Sequence, residues 1–302
     1  MAKPMADVES DGFACWRSGS WAEAVGLANA MQGWIFRGQS DYEWGLVTGI
    51  ERAAERYGYP RDGIPDVEKY QVSEFRRQAH QYLTHLPDPG RKLEWLALIQ
   101  HHGGPTRLLD FTASFYVAAF FAVENAARDR DAAVWAVDLT LLREAALKIG
   151  GVKHDVNVFR DACDVERRLV EDCLEKDTGV PGIIHVQPWT LSERIVIQQG
   201  VFLCPTSFHS DFQQNLAASL RIPADVFEDM PEANVMPCPS QTQPQCRLVK
   251  IILPHALHGE ILADLRRMNI TAATLFPGLD GFARSLQYPL TLFSGWGETD
   301  SD

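Results

Sequence analysis

Apolar residues recur every three or four positions in many parts of the chain, a spacing typical of amphipathic helices. Between Ser20 and Met31, for example, Ala24, Leu27 and Ala28 form one apolar stripe, and Ser20 is a suitable N-cap. The same spacing predicts helices over Ser20–Met31, Gly49–Tyr57, Asp66–Leu86, Arg91–His101, Ala113–Ala127, Leu141–Ile149, Val165–Glu175 and Leu257–Met268.

Shorter, more continuous apolar runs predict strands. Ala132–Val137 is too continuously apolar for an exposed edge strand. Strands and helices follow one another without a regular βαβ alternation, so the sequence predicts an α+β fold. The segment Pro223–Gln245 contains five of the 17 prolines and is predicted to be a loop or linker. The predicted strands are Trp34–Phe36, Arg194–Ile197 continuing past Gln198-Gln199 into Gly200–Leu203, and Cys246–Leu253, in addition to Ala132–Val137.

Composition places the chain among ordinary globular proteins, because 46% of its 302 residues are hydrophobic and 23% are charged. There is no run of about 18 apolar residues, so no transmembrane helix is predicted. Met1–Ser20 lacks the basic and apolar regions of a signal peptide. The six cysteines are scattered without a C-x-x-C pair, which argues against a disulfide framework and a zinc site. We therefore expect a cytoplasmic, reduced protein.

The net charge of -12 excludes binding to nucleic acid through the overall field of the protein. A local basic groove is still open as an alternative. Arg76, Arg77, Arg91 and Lys92 are its candidates, although charged residues at such spacing usually form a solvated helix face.

The densest chemistry lies between residues 100 and 122. His101 and His102 are adjacent, so on a helix they diverge and cannot share one metal ion. One of them could act as a general base or donate to a ligand hydroxyl. The alternative is a histidine at the end of the helix, with Gly103 as the cap. No metal site is predicted here.

Three further polar residues, Asp110, Thr112 and Ser114, precede the next predicted helix. A helix needs only one of them as its N-cap. The surplus of hydroxyls and carboxylate beside Arg107 favours a functional site over a simple turn.

Arg37 ends an apolar strand and is followed by Gly38. A guanidinium at a sheet edge, next to a residue without a Cβ, is suited to bind a phosphate or a ribose-linked pyrophosphate. The alternative is a buried arginine paired with an acid such as Asp110. Later in the chain, Gln198-Gln199 would place at least one amide on the core side, where it needs partners, and Glu193 is the nearest carboxylate.

Several common signatures are absent from the sequence. There is no P-loop and no G-x-G-x-x-G dinucleotide motif. There is also no G-x-S-x-G elbow and no H-E-x-x-H metal motif.

Taken together, the segments resemble the FRG domain family. The resemblance implies a single FRG-type domain over residues 1–302, with a core at about 30–285, a helical insertion at about 49–102 and a Pro-rich loop at about 223–245. The segments that carry it are Phe36-Arg37-Gly38-Gln39, Gln100-His101-His102-Gly103-x-Pro105-Thr106-Arg107-Leu108-Leu109-Asp110-Phe111-Thr112, Ala118-x-Phe120-Phe121-Ala122, Arg194-Ile195-x-x-Gln198-Gln199-Gly200-x-Phe202 and Leu275-Phe276-Pro277-x-Leu279-Asp280-Gly281.

The layout is similar to that of ADP-ribosyltransferases, which implies a mixed, mostly antiparallel split sheet. Those enzymes carry an arginine on a first strand, a Ser/Thr-containing strand or turn, and a glutamate on a later strand. Arg37, Thr112 with Ser114, and the Glu193–Gln199 segment stand here in that order. The departure is Gln198-Gln199 where a Q-x-E or E-x-E is usual. An amide can bind a ribose hydroxyl but supplies no negative charge to an oxocarbenium-like transition state.

The resemblance implies an enzyme that uses NAD as its substrate, without a metal, to modify a protein or nucleic-acid acceptor. It also suggests a toxin of bacterial phage defence with a neutralising antitoxin or chaperone, and no membrane. The alternative is a non-catalytic module that binds a nucleotide or nucleic acid. A metal-dependent nuclease ranks lower because clustered carboxylates are missing.

The transferase hypothesis requires Arg37, Thr112 and Gln199 to converge on one cleft. The implied catalytic residues are Arg37, Asp110, Thr112, Glu193 and Gln199, and the implied NAD-binding residues are Arg37, Gly38, Gln39, His101, Arg107, Thr112 and Ser114.

Overall fold

A mixed seven-stranded sheet runs through the computed structural model, which describes residues 12–151, 169–188, 192–227 and 246–287. Its strands are β1 (Phe13–Arg17), β2 (Trp34–Gln39), β3 (Leu109–Thr112), β4 (Ala132–Asp138), β5 (Ile183–Val186), β6 (Gly200–Pro205) and β7 (Leu248–Leu253). Their order across the sheet is β1-β7-β4-β2-β3-β6-β5. Only β1 and β7 pair in parallel, and the other neighbours are antiparallel. The predicted α+β class with a mixed, mostly antiparallel sheet is confirmed.

Helices cover both faces of this sheet. Short 3₁₀ turns at Arg61–Gly63, Ala79–Gln81, Ala224–Phe227 and His255–Leu257 join some of them. None of the described helices combines the length and the apolar character needed to cross a membrane. The helices are α1 (Trp21–Ala30), α2 (Gly49–Arg56), α3 (Ile64–Gln78), α4 (Lys92–His101), α5 (Phe115–Val123), α6 (Leu139–Ile149), α7 (169–175), α8 (Glu193–Ile197), α9 (Phe212–Leu220), α10 (His258–Arg267), α11 (Ala272–Leu275) and α12 (Leu279–Ser285).

The central strand β4 explains why an unbroken apolar run can be a strand. Residues 132–137 are fully buried because helices cover both faces of β4. On one face, Phe36 packs with α1, α5 and α10, and on the other, Trp135 packs with Ile35 and Phe212. A strand buried on both faces needs no polar alternation, so the prediction for this segment is confirmed.

Helix α5 lies directly on β2 at Gly38. A Cβ placed on Gly38 would lie 1.9 Å from the carbonyl oxygen of Ala118 and 2.6 Å from the backbone nitrogen of Ala122. No side chain fits at these distances, so the glycine is required for the contact between the helix and the strand. The space that the missing Cβ leaves at Gly38 is therefore occupied by the backbone of α5.

The sheet opens between β2 and β3, where one residue pair, Phe36 and Thr112, joins the two strands. On its other side β3 pairs with β6 over four residues. Beyond this pair, the Arg37 side chain replaces the backbone hydrogen bonds between the two strands. Its Nη1 donates a hydrogen bond to the carbonyl oxygen of Asp110 at 2.7 Å. The opening places polar groups at the middle of a sheet that is otherwise apolar.

The predicted strand Arg194–Ile197 is wrong, because these residues belong to helix α8. Ser192 is its N-cap, and the Ser192 hydroxyl accepts a hydrogen bond from the backbone nitrogen of Ile195 at 3.3 Å. A run of four residues cannot distinguish one helical turn from a strand by periodicity alone. The strand starts only at Gly200, after a turn at Gln198-Gln199.

Other predicted boundaries also shift, by up to eight residues at the end of α3. The helix predicted to reach Leu86 ends at Gln78, and the one predicted over Ala113–Ala127 is the shorter α5, capped by Ser114. The last strand starts at Leu248 instead of Cys246. Of the predicted Pro223–Gln245 loop, residues 228–245 lie outside the described residues, as do residues 165–168 of the predicted Val165–Glu175 helix.

Strands β1, β3 and β5 were not predicted. Each has four or five residues, and β3 contains the exposed Asp110 among buried neighbours. Such short runs become strands because they pair with β7 or β6, an interaction between residues far apart in sequence.

Lys250 on β7 is 1% exposed and its Nζ lies 4.7 Å from the ring centroid of Trp135. Burial lowers the pKa of this lysine from 10.5 to about 8. The unfolded chain therefore binds more protons than the folded one between these two values, so this group makes stability rise with pH there. From about pH 7.5 to about pH 9.5, we expect the free energy of unfolding to rise by about 2 kcal/mol more in the wild type than in Lys250→Met.

Urea denaturation of both proteins at the two pH values measures this difference. The comparison with the variant removes the contribution of groups that Lys250 does not influence. Cys15 is not such a group, because burial raises its pKa and the charge of Lys250 lowers it. An identical pH dependence in the two proteins would show that Lys250 keeps its ordinary pKa in the fold.

Candidate active site

A cavity of about 290 Å³ lies at the opening between β2 and β3. Strands β2, β3 and β6 form its floor, and α8 forms one wall. The polar side chains that line it are Arg37, Asp110, Thr112, Arg194 and Gln198.

Arg37 is the most buried cation of this cleft, with 19% of its side chain exposed. Its Nη1 donates to the carbonyl oxygen of Asp110 and lies 4.0 Å from the Asp110 carboxylate. Its Nε is buried and has no hydrogen-bond partner among the described residues. Desolvation lowers the pKa of the guanidinium, and the charge of Asp110 partly opposes this effect. A buried donor without a partner is rare, and a ligand anion in the cleft would satisfy it.

Asp110 presents the carboxylate of the cleft, and 61% of its side chain is exposed. Gln100 holds it, because the Gln100 Nε2 donates to the Asp110 Oδ2 at 2.8 Å. The Gln100 Oε1 in turn accepts from the hydroxyl of Thr106. These two contacts fix which end of the Gln100 amide faces the carboxylate. Sequence reasoning did not assign Gln100 a role, although it begins the motif that runs from residue 100 to residue 112.

Thr112 connects the end of β3 to the turn before β6. Its hydroxyl donates to the carbonyl oxygen of Gln198 at 2.7 Å and accepts from the backbone nitrogen of Ser114 at 3.0 Å. One acceptor lone pair is left for a ligand. In the same turn, the Gln198 Nε2 donates to the carbonyl oxygen of Leu275 at 2.9 Å.

Gln198, and not the predicted Gln199, lines the cleft. Gln199 adopts a left-handed backbone with φ of 49° and its side chain is exposed. Its carbonyl oxygen accepts from the backbone nitrogen of Ala113 at 3.0 Å, which closes the turn against β3. The structure therefore brings Arg37 and Thr112 together in one cleft. The predicted convergence of these two residues with Gln199 is not met, because the Gln198 amide lines the cleft instead.

Arg194 is the second cation of the cleft and was not among the predicted site residues. Its guanidinium carbon lies 4.6 Å from the ring centroid of Phe276, which belongs to the segment between α11 and α12. The signal that could have found it is its place in the third motif segment, four residues before Gln198.

Residues 32–131 match the family model of the FRG domain. The protein contains an FRG domain. The match extends from two residues before β2 to the residue before β4, so it includes Arg37, Asp110 and Thr112. No curated protein and no solved structure matches the chain.

The two histidines of the FRG domain lie at the end of α4, outside the lining of the cleft. The half-buried His101 packs edge-on against His102, with 5.0 Å between ring centroids. Desolvation, with smaller effects of His102 and Arg194, lowers the pKa of His101. Gly103 ends α4 with φ of 82°, and the backbone nitrogen of Gly104 donates to the carbonyl oxygen of Ile99 at 2.9 Å. The cap predicted at Gly103 is present.

Several other predicted residues of the FRG domain have structural contacts instead of lining the cleft. The Gln39 amide accepts from the Nε1 of Trp135 at 2.7 Å and donates to the carbonyl oxygen of Gly45 at 2.9 Å. The Ser114 hydroxyl caps α5. Arg107 is buried and forms a salt bridge with Glu68 of α3, so its donors point away from the cleft.

Glu193, which the resemblance implied as a catalytic residue, is exposed in the first turn of α8. It does not line the cleft. Asp110 is thus the one carboxylate among the described lining residues. Within the described part of the chain, no group of three or more His, Cys, Asp or Glu side chains is placed to hold a metal ion.

Proposed function

We propose that this FRG-domain protein is an ADP-ribosyltransferase-like enzyme with NAD as its substrate and a protein or nucleic acid as its acceptor. The observation that carries the proposal is the buried Arg37 in the cleft, with an Nε that lacks a partner and with Thr112 at its side. A guanidinium with a free donor in a desolvated cleft binds a phosphate group strongly.

In the proposed reaction, the bond between C1 of the ribose and the nicotinamide nitrogen breaks, and nicotinamide leaves with the electron pair. The acceptor nucleophile then forms a bond to C1 and loses its proton to solvent or a base. The carbon carries positive charge in the transition state, so a nearby fixed negative charge lowers the barrier. Asp110 is suited to this role because Gln100 orients its carboxylate within the cleft. The amide of Gln198 is suited to bind a ribose hydroxyl.

The wider context is part of the same proposal and follows from the family resemblance. The enzyme would find NAD in the cytoplasm. As a toxin of phage defence, it would need a neutralising antitoxin or chaperone. The acceptor would approach over the exposed Asp110 side of the cleft.

A non-catalytic nucleotide-binding module is the second candidate. It is favoured by the amides of Gln198 and Gln199, which stand where a transferase usually offers a glutamate. Such a module would bind NAD through Arg37 without cleaving it.

Release of nicotinamide from NAD in the presence of cell extract tests the proposal. We expect Arg37→Met to reduce kcat/KM by about 100-fold, because a charged hydrogen bond in a desolvated site contributes about 1.5–3 kcal/mol. The matched control is Arg267→Met on α10, where the arginine is 79% exposed, and we expect no change. Binding of NAD by the wild type without nicotinamide release would reject the transferase and support the binding module.

A further inference from the structure

Arg194 projects from α8 into the same cleft as Arg37, and its position is set by Phe276. The guanidinium carbon of Arg284 lies over the same ring, 4.3 Å from its centroid. Phe121 of α5 packs edge-on against Phe276, with 5.9 Å between the ring centroids. An aromatic ring fixed in this way restricts the guanidinium that stacks on it and reduces the entropy lost on binding a ligand.

The two arginines at Phe276 differ in their charge partners. The Nε of Arg284 donates to the Glu124 Oε1 at 2.7 Å, so a carboxylate compensates this cation. Arg194 has no salt bridge within the described residues, and Asp110 is the carboxylate that influences it through space. Burial and the charge of Arg284 both lower the pKa of Arg194. A half-buried cation beside a second, compensated cation gains stability when an anion binds.

We propose that Arg37 and Arg194 bind the two phosphate groups of a diphosphate, one each, so that the cleft selects ligands with two linked phosphates. The inference rests on the proposed function in one respect, since NAD is such a ligand. It stands on two independent observations, one on strand β2 and one on helix α8, both of which line the cavity. These are the buried Nε of Arg37 without a partner and the stacked Arg194 without a counter-ion among the described residues.

Calorimetric titration with inorganic pyrophosphate, inorganic phosphate and NAD tests the inference. We expect Arg194→Met to weaken the binding of pyrophosphate and NAD by about tenfold or more, and that of phosphate much less, because a single phosphate needs only Arg37. The salt dependence of pyrophosphate binding should also decrease. Arg267→Met, with the same change of charge on an exposed helix face, should bind all three like the wild type.

Two further variants keep the test informative if Arg194→Met is poorly folded. Arg194→Lys retains the charge and is expected to recover part of the pyrophosphate affinity. Phe276→Leu removes the ring that positions Arg194 and is expected to lower the preference for pyrophosphate over phosphate. A wild type that does not bind pyrophosphate, or an Arg194→Met variant with an unchanged preference for pyrophosphate over phosphate, would overturn the inference. If Arg194→Met is poorly folded, an unchanged preference in Phe276→Leu would overturn it in the same way.

The outcomes separate this inference from the proposed function. Binding of pyrophosphate that depends on Arg194, without nicotinamide release from NAD, keeps the diphosphate site and rejects the transferase. Nicotinamide release that is unchanged in Arg194→Met would support the transferase and reject the diphosphate site.

Discussion

Replacement of Arg107 by methionine is expected to lower the free energy of unfolding by about 3–5 kcal/mol, because it breaks a buried ion pair and leaves one charge without a partner. The side chains of Arg107 and Glu68 are each 6% exposed. The Nε of Arg107 lies 3.0 and 2.8 Å from the two carboxylate oxygens. The guanidinium also donates to the carbonyl oxygen of Cys173 at 3.2 Å and stacks on the ring of Phe208 at 4.0 Å. All of these contacts are lost together.

Urea denaturation measures the change, and two further variants make it specific. The double variant Glu68→Gln, Arg107→Met removes both charges and should recover part of the loss. The matched control is Arg77→Met, which removes a salt bridge to Glu74 from an arginine that is 72% exposed. Exposed pairs contribute about 0–1 kcal/mol, so little change is expected there. An equally small loss in both arginine variants would contradict a buried pair.

The same pair shows where sequence reasoning reaches its limit. Arg107 lies in a polar turn beside His101 and Asp110, and this setting suggests a ligand-binding side chain. Its partner Glu68 lies 39 residues earlier, on a predicted helix face that gives no sign of burial. Only the contact between α3 and the turn before β3 decides between the two roles, and that contact is long-range in sequence.

Long elements with a continuous pattern were predictable. The buried run of β4 and the helices α1, α4 and α10 follow from local apolar patterns, and Ser20 also caps α1. The short elements were not, since α8 and β3 have five and four residues and take their structure from the elements they contact. The consequence for the site is specific, because the error at α8 moved Gln199 onto a strand.

The candidate site was predictable where chemistry and motif coincide. Arg37, Asp110 and Thr112 are polar residues next to apolar strands, and the fold brings them to one cleft. Gln100 and Arg194 were missed because their importance depends on Asp110 and Phe276, which approach them only in the folded protein. A pattern along the chain identifies polar residues in apolar surroundings. Which residues they contact is determined by the fold.

Gly38→Ala is expected to destabilise the protein by at least about 3 kcal/mol, because the added methyl group would lie 1.9 Å from the carbonyl oxygen of Ala118. The three nearest atoms all belong to the backbone of α5, so no flexible side chain can move aside. Helix α5 must shift away from the strand. The contacts between Phe36 and the buried residues of α5 are then lost. Thermal unfolding should show a fall in Tm of about 5 °C.

Gly26→Ala is the matched control for this loss, since it adds the same methyl group to another glycine of the chain. Gly26 lies in α1 with an exposed position and no atom within 4 Å of the added Cβ. Alanine is a better helix former than glycine, so this variant is expected to gain about 0.5–1 kcal/mol. The two substitutions are chemically identical and have opposite expected signs. A Gly38→Ala protein as stable as the wild type would mean that α5 does not lie on β2 at this residue, and the wall of the cleft beside Arg37 would then need a different description.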